Sequence, residues 1–255
     1  RNNQKVIEMT IICFLLVFFL NLHVLNAQEI ITYSVPEGIP HNNDFNVKVR
    51  VPGGQWQELF EYEAQVDMHN IRNTSMVYFD FSGTVEISVT SNTVDIDSVC
   101  IRPLSYGLRP AVKGNTLTFS LSKPCNLSVE VNGDIFHNLQ IFTNPPETYK
   151  PDPKDTCIIY LGPGIHNFDR GVLSVPSGKT LYIAGGAVVK AKILCKNVND
   201  VRICGRGILL KGERGVEITN STNIEVDDII IINPQHYTVY GGQSKGIKIK
   251  NIRSF

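Results

Sequence analysis

Over its last third the chain repeats one short pattern of apolar and polar positions. The segments Leu181-Tyr182-Ile183-Ala184-Gly185, Val201-Arg202-Ile203-Cys204-Gly205, Ile224-Glu225-Val226-Asp227-Asp228 and Ile247-Lys248-Ile249-Lys250-Asn251 hold aliphatic residues in their first and third places. The fifth place holds Gly, Gly, Asp and Asn, the residue types that best tolerate a left-handed backbone. The segments begin 20, 23 and 23 residues apart (201 − 181, 224 − 201, 247 − 224). A strand ended by a tight corner and recurring at that interval predicts the coils of a parallel β-helix. Successive strand residues face opposite ways, so Tyr182, Arg202, Glu225 and Lys248 are expected in one outward file, with Asp227 above Lys250 in the next. Opposite charges on adjacent strands stabilise such a stack mildly. Asp227 therefore has a structural role, and Asp228 is a corner residue equivalent to Gly185, Gly205 and Asn251.

Upstream, stacked repeats give way to evenly spaced short strands with period-two alternation. Phe45–Val51, Thr84–Thr90, Thr116–Leu121 and Leu127–Val131 are examples, with turn signals at Pro52-Gly53-Gly54, Lys113-Gly114-Asn115 and Asn132-Gly133-Asp134. The last predicts a hairpin, Leu127–Val131 leading in and Ile135-Phe136 leading out. Such spacing suggests a small antiparallel β-sandwich. The stretch from Asn144 to Pro153 has four prolines, which remove donors and fix φ. The predicted fold class is all-β, an N-terminal β-sandwich followed by the first coils of a right-handed parallel β-helix. Its expected divisions are a signal peptide (1–27), the sandwich as an accessory domain (28–143), a Pro-rich linker (144–155) and the β-helix coils (156–255), whose first strand is Cys157–Leu161.

Composition narrows the function classes. With 255 residues, 42% of them hydrophobic, the chain can bury a substantial core. Its 24 basic and 24 acidic residues balance, which gives no electrostatic argument for nucleic acid or an anionic membrane. Arg1 and Lys5 precede an apolar run from Ile11 to Leu20, and Leu25-Asn26-Ala27 offers a small residue before Gln28. A run of that length suits a signal peptide, since a membrane span needs about 20 residues, a signal anchor being the alternative. Export to a secreted or periplasmic location follows, with no membrane attachment after cleavage. The chain opens on Arg rather than Met, so an incomplete N-terminus is expected too. Cys100, Cys125, Cys157, Cys195 and Cys204 follow the run at irregular spacing and read as small buried residues, a Cys100–Cys125 pair being the alternative. The histidines lack ligand spacing, so neither a metal nor another cofactor is expected.

Three stretches carry a resemblance to a known family: Tyr160-Leu161-Gly162-Pro163-Gly164-Ile165-His166, the run Val175–Val189, and Ile203-Cys204-Gly205-Arg206-Gly207-Ile208-Leu209. They resemble the early coils of polygalacturonase-type glycoside hydrolases, family 28, with the pectin lyase-like parallel β-helix. The run Ile232–Tyr240 and the strand Gly246–Ile252 resemble the coils just before that family's first catalytic motif. The preceding sandwich is also similar to that of the dextranase and isopullulanase family, family 49. The first resemblance implies hydrolysis of galacturonan in pectin with inversion, by carboxyls about 6.5–9.5 Å apart that leave room for water. A dextranase-like α-glucan hydrolase and a non-catalytic carbohydrate-binding protein are the alternatives.

The family's Asn-Thr-Asp or Ser-Asp-Gly, Asp-Asp, Gly-His-Gly and Arg-Ile-Lys segments have no counterpart here, so no catalytic residue is transferred. They are expected beyond Phe255, and the chain by itself is expected to be inactive and only marginally stable. Candidate substrate contacts are Gln235, His236, Tyr237 and Tyr240, whose aromatic faces and polar tips suit sugars. Gly162-Pro163-Gly164 and Gly185-Gly186 do not open a helix, so turns rather than phosphate binding are expected. The expected partner is a polysaccharide substrate, and the expected state a monomer.

Overall fold

The computed structural model describes residues 28–67 and 69–255. The segment read as a signal peptide lies outside the described residues. Among these, no helix is long and apolar enough to cross a membrane.

Two sheets form the N-terminal sandwich. The outer sheet orders Gln57–Leu59, Phe45–Arg50, Val85–Ser91, Thr116–Leu121 and Ala111–Lys113, all antiparallel. The inner sheet orders Glu29–Ile31, Arg72–Ser82, Leu139–Asn144, Asn126–Val131 and Val99–Arg102, with Tyr62–Val66 also paired to Arg72–Ser82. One ladder breaks the antiparallel expectation, because Leu139–Asn144 runs parallel to Arg72–Ser82. Val47, Val49, Ile87, Val89 and Leu117 of one sheet meet Val77, Phe79, Phe81, Val129 and Ile141 of the other in a single core. The turn at Asn132-Gly133 forms, with both residues at positive φ. The expected exit strand Ile135-Phe136 does not: Asp134 accepts the N–H groups of Phe136 and His137 at 2.9 and 3.0 Å and carries the chain into a wider loop. Pairing resumes only at Leu139.

The rest of the chain is a three-faced solenoid of about four turns, in which every ladder is parallel. The first face stacks Ile158–Leu161, Thr180–Ile183, Asn199–Gly205, Thr222–Asp227 and Lys245–Lys250. The long strands Gly164–Ser174 and Ala187–Lys196 bend across the other two faces. Ile208–Leu210, Ile230–Ile232 and Arg253–Ser254 continue the second face, and Val216–Thr219 and Val239–Gly242 the third. Leu181, Ile203 and Val226 pack inside against Val189, Leu209, Ile231, Ile193 and Ile218. Burying an aliphatic side chain of this size contributes about 1.5–3 kcal/mol.

The expected register holds for the later coils and slips in the first. Val201 pairs with Ile224 and Ile224 with Ile247, as the repeat requires. Leu181 pairs with Ile203 and not with Val201, so the first interval is 22 residues (203 − 181). Tyr182 accordingly stacks between Tyr160 and Cys204, not on Arg202. Both registers keep the same side chains inside, because the pattern has a period of two. Gly185 also loses its corner role, since the neighbouring Gly186 has the positive φ of 83°. Gly205, Asp228 and Asn251 do turn the corner with positive φ. A Cβ on Gly205 would stand 2.1 Å from the Ile183 carbonyl oxygen, so only glycine fits there. In the charge ladder, Lys250 rather than Lys248 pairs with Glu225, at 2.9 Å, and also with Asp227 at 3.1 Å.

The solenoid's second face docks on the inner sheet. Val188, Ile208, Leu210, Ile230 and Ile232 meet Tyr62, Ala64, Met76, Tyr78 and Phe142 in a shared apolar layer. Strand Arg72–Ser82 is therefore buried on both faces from Thr74 to Phe81. Charge is matched within the layer: Arg206 Nε donates to Asp80 at 2.8 Å, and its Nη1 pairs with Asp228 at 2.5 Å. Burial pushes the Asp80 carboxyl up, and Arg206 opposes that shift. The Pro-rich stretch is tied to the same corner, with Arg206 Nη2 donating to the Pro145 carbonyl at 3.1 Å and Tyr182 Oη to Glu147 at 2.8 Å. Cys195 and Cys204 are buried, Cys100 and Cys125 half-buried and Cys157 exposed, all as free thiols.

Candidate functional site

Gln235 and His236 open onto a cleft of about 800 Å³ between the two halves of the molecule. After Ile230–Ile232 the chain turns off the second face at Asn233, whose φ is 51°. The Gln235 and His236 N–H groups then donate to the carbonyls of Gly212 and Glu213 at 2.9 and 3.0 Å, so this loop rests on the corner of the preceding coil. The opposite wall is formed by Gln65 and Val66, at the end of strand Tyr62–Val66, with Asp67 and Ile71. The two walls are joined where Asn233 Oδ1 accepts the Gln65 N–H at 2.7 Å, across 168 residues of sequence. Val66, Ile71 and Phe255 supply apolar lining, and Asp67, Lys211, Gln235 and His236 supply polar and charged groups. Asp67 Oδ1 accepts the N–H groups of His69 and Asn70 at 3.2 and 3.3 Å, which holds the wall in a turn. A concave site of this size with a few converging polar groups has the make-up of a small-ligand site.

Tyr237 and Tyr240 belong to a second, more open surface. Their rings stack with centroids 6.0 Å apart and 28° between planes. Tyr237 is 65% exposed. The Arg214 guanidinium lies 4.7 Å over the Tyr240 ring and pairs with Glu217 at 2.8 Å and Glu213 at 3.1 Å. Lys192 reaches the same two carboxylates, Glu213 at 2.7 Å and Glu217 at 2.9 Å. Its hydrogen bonds hold both Glu213 and Glu217 below the usual carboxylate range. A general acid needs a raised pKa, so these two are unsuited to protonating a leaving group. Among the described residues lining the cleft itself, Asp67 is the one carboxylate.

The sequence reading missed two things. The cleft's sandwich wall, at Gln65, Val66, Asp67 and Ile71, lies far from Gln235 in the chain and carries no motif. An aromatic stack on the first face was also missed: Tyr160 and Tyr182 lie 5.5 Å apart with 20° between planes, with Tyr149 edge-on to Tyr182. Its signal was present, since Tyr160 and Tyr182 hold the same place in Ile-Ile-Tyr-Leu and Thr-Leu-Tyr-Ile. Among the described residues no group of three or more His, Cys, Asp or Glu could hold a metal.

No protein-family model matches the chain, and no curated protein does. Its fold is shared with a solved structure, Dex49A from Penicillium minioluteum, at a TM-score of 0.63 and 15% sequence identity. The match covers 88% of this chain and 60% of that one. A share that large takes in the sandwich as well as the solenoid, so the likeness is one of the combined architecture. At that identity the likeness establishes the fold, a parallel β-helix preceded by a β-sandwich. This chain spans about 60% of the length of Dex49A.

Proposed function

We propose that this chain is the N-terminal part of an exported polysaccharide hydrolase, with its substrate passing through the cleft between sandwich and solenoid. The observation that carries the reading is the shared architecture with Dex49A, a dextranase, across both halves of the chain. A neutral α-glucan is the substrate class that this supports. Within the cleft, Gln235 and His236 supply hydrogen bonds to sugar hydroxyls, and Val66, Ile71 and Phe255 face the apolar side of a ring. Asp67 is the one carboxylate among the described residues lining the cleft, so no acid–base pair is assigned to this chain.

Galacturonan is the second reading, favoured by the run Ile232–Tyr240 and its likeness to family 28. A polyanionic substrate calls for a basic excess, whereas Lys211 is balanced by Asp67 in the cleft. The deciding experiment measures reducing ends released from dextran, pullulan and polygalacturonate by the protein expressed with its coding sequence beyond Phe255. Release from an α-glucan, weakened in Gln235→Ala and His236→Ala, supports the proposal. Release from polygalacturonate alone transfers it to pectin, and release from none of them sinks the hydrolase reading.

A further inference from the structure

The chain has one tryptophan, and it stands on the open face of the outer sheet, on the side away from the solenoid. Trp56 is 37% exposed. A single exposed apolar side chain is ordinary; this one is held in place. The Arg50 guanidinium lies 4.3 Å above its ring, and Arg50 Nε is fixed in turn by Glu86 at 2.6 Å. An indole clamped in the free protein has little conformational freedom left to lose on binding. Beside it opens a hollow of about 220 Å³, bordered by Thr118 and Ser120.

The strand register extends that hollow into two rows of side chains, five of the six bearing small hydroxyls. Glu86 stands opposite Ser120, Ser88 opposite Thr118 and Thr90 opposite Thr116. All six alternate with core residues and point to solvent. Charge on the neighbouring strands cancels, because Lys48 faces Glu58 and Arg50 is paired with Glu86. The surface therefore selects neither a polyanion nor a polycation. A fixed aromatic ring beside rows of neutral donors and acceptors matches one chemistry, a sugar whose C–H face stacks on the ring while its hydroxyls meet Ser and Thr.

We propose that Trp56 and the Ser/Thr face of the outer sheet form a binding surface for a neutral polysaccharide, separate from the cleft at Gln235 and His236. Because Trp56 is the chain's single tryptophan, its emission reports on this surface alone. The chain is titrated with soluble dextran, pullulan, galactomannan and polygalacturonate while its emission is followed, and retardation is read in native gels containing each polymer. At least one neutral polymer is expected to shift the emission, and Trp56→Ala to weaken retardation by about tenfold, the loss of one stacking contact. Trp56→Phe is expected to keep most of the retardation, and His236→Ala to leave the emission response unchanged. Circular dichroism confirms that each variant is folded. Emission unmoved by every neutral polymer overturns the proposal. So does Trp56→Ala retarded like the parent, a response lost in His236→Ala, or a response confined to polygalacturonate. None of these readouts requires hydrolysis, so the surface can fail while the hydrolase reading stands.

Discussion

The two sheets of the sandwich share one core and differ in what covers their second faces. In the outer sheet each long strand alternates, with Val47, Ile87 and Leu117 inside and Lys48, Ser88 and Thr118 outside. In the inner sheet, Thr74 through Phe81 is buried throughout because the solenoid lies on the other side. Lys48 can rest in water, but Asp80, fully buried, has Arg206 at 2.8 Å. Covering a sheet twice therefore changes both its hydrophobic pattern and the rule for its charges.

Arg206→Ala should test that contrast most severely. It leaves Asp80 buried without its cation, and a loss of about 3–5 kcal/mol is expected in denaturant unfolding. Lys48→Ala on the outer sheet should stay within about 0.5 kcal/mol of the parent. Similar losses at the two positions would break the comparison. Trimming the docking layer acts more gently, and Ile208→Val should cost about 0.5–1.5 kcal/mol in the same assay.

Glu61 sharpens the comparison through pH. It is 2% exposed, and burial pushes its carboxyl up to about 7, against hydrogen bonds from Ser75 Oγ and the Phe45 N–H. The native state thus holds the proton more tightly than the unfolded chain. This contribution to stability is complete below the unfolded value of about 4.5 and is lost as pH rises towards 7. Unfolding midpoints measured from pH 4.5 to 7.5 should fall through that window in the parent and run flatter in Glu61→Gln. An unchanged slope would remove Glu61 from the account. The smallest effect is expected at Lys250, whose exposed ammonium pairs with the half-buried Glu225 and the largely buried Asp227. Lys250→Ala should unfold within experimental scatter of the parent at 1 M salt, where such pairs are screened.

Alternation made the outer sheet and the inward files of the solenoid legible in the sequence, because half-buried strands write their burial in period two. It could not fix the first coil's register, since a slip of two residues leaves that writing unchanged. Docking was written differently, in the unbroken runs Met76–Phe79, Ile208–Leu210 and Ile229–Ile232, which mark strands covered on both sides. Those runs say that a cover exists and not what supplies it. For the same reason Gln235 and His236 could be picked out, while their facing wall at Gln65, Val66, Asp67 and Ile71 could not. Tyr237 and Tyr240 lie close to them in sequence, but the loop and the strand Val239–Gly242 that follows it present the two pairs to different surfaces.

Gly205 has a consequence for how the solenoid assembles. A coil laid two residues out of step buries its aliphatics as well as one laid correctly, so the main rival during folding is a mis-stacked ladder rather than the open chain. Sheet hydrogen bonds and inward side chains barely separate the two arrangements. The corners do, because only one of them brings a residue without a Cβ over the Ile183 carbonyl. Discrimination between right and wrong stacking is thus concentrated in a few corner atoms. A methyl group added at Gly205 would be felt first in the share of chains that reach the native ladder on refolding, whatever it does to the stability of those that arrive.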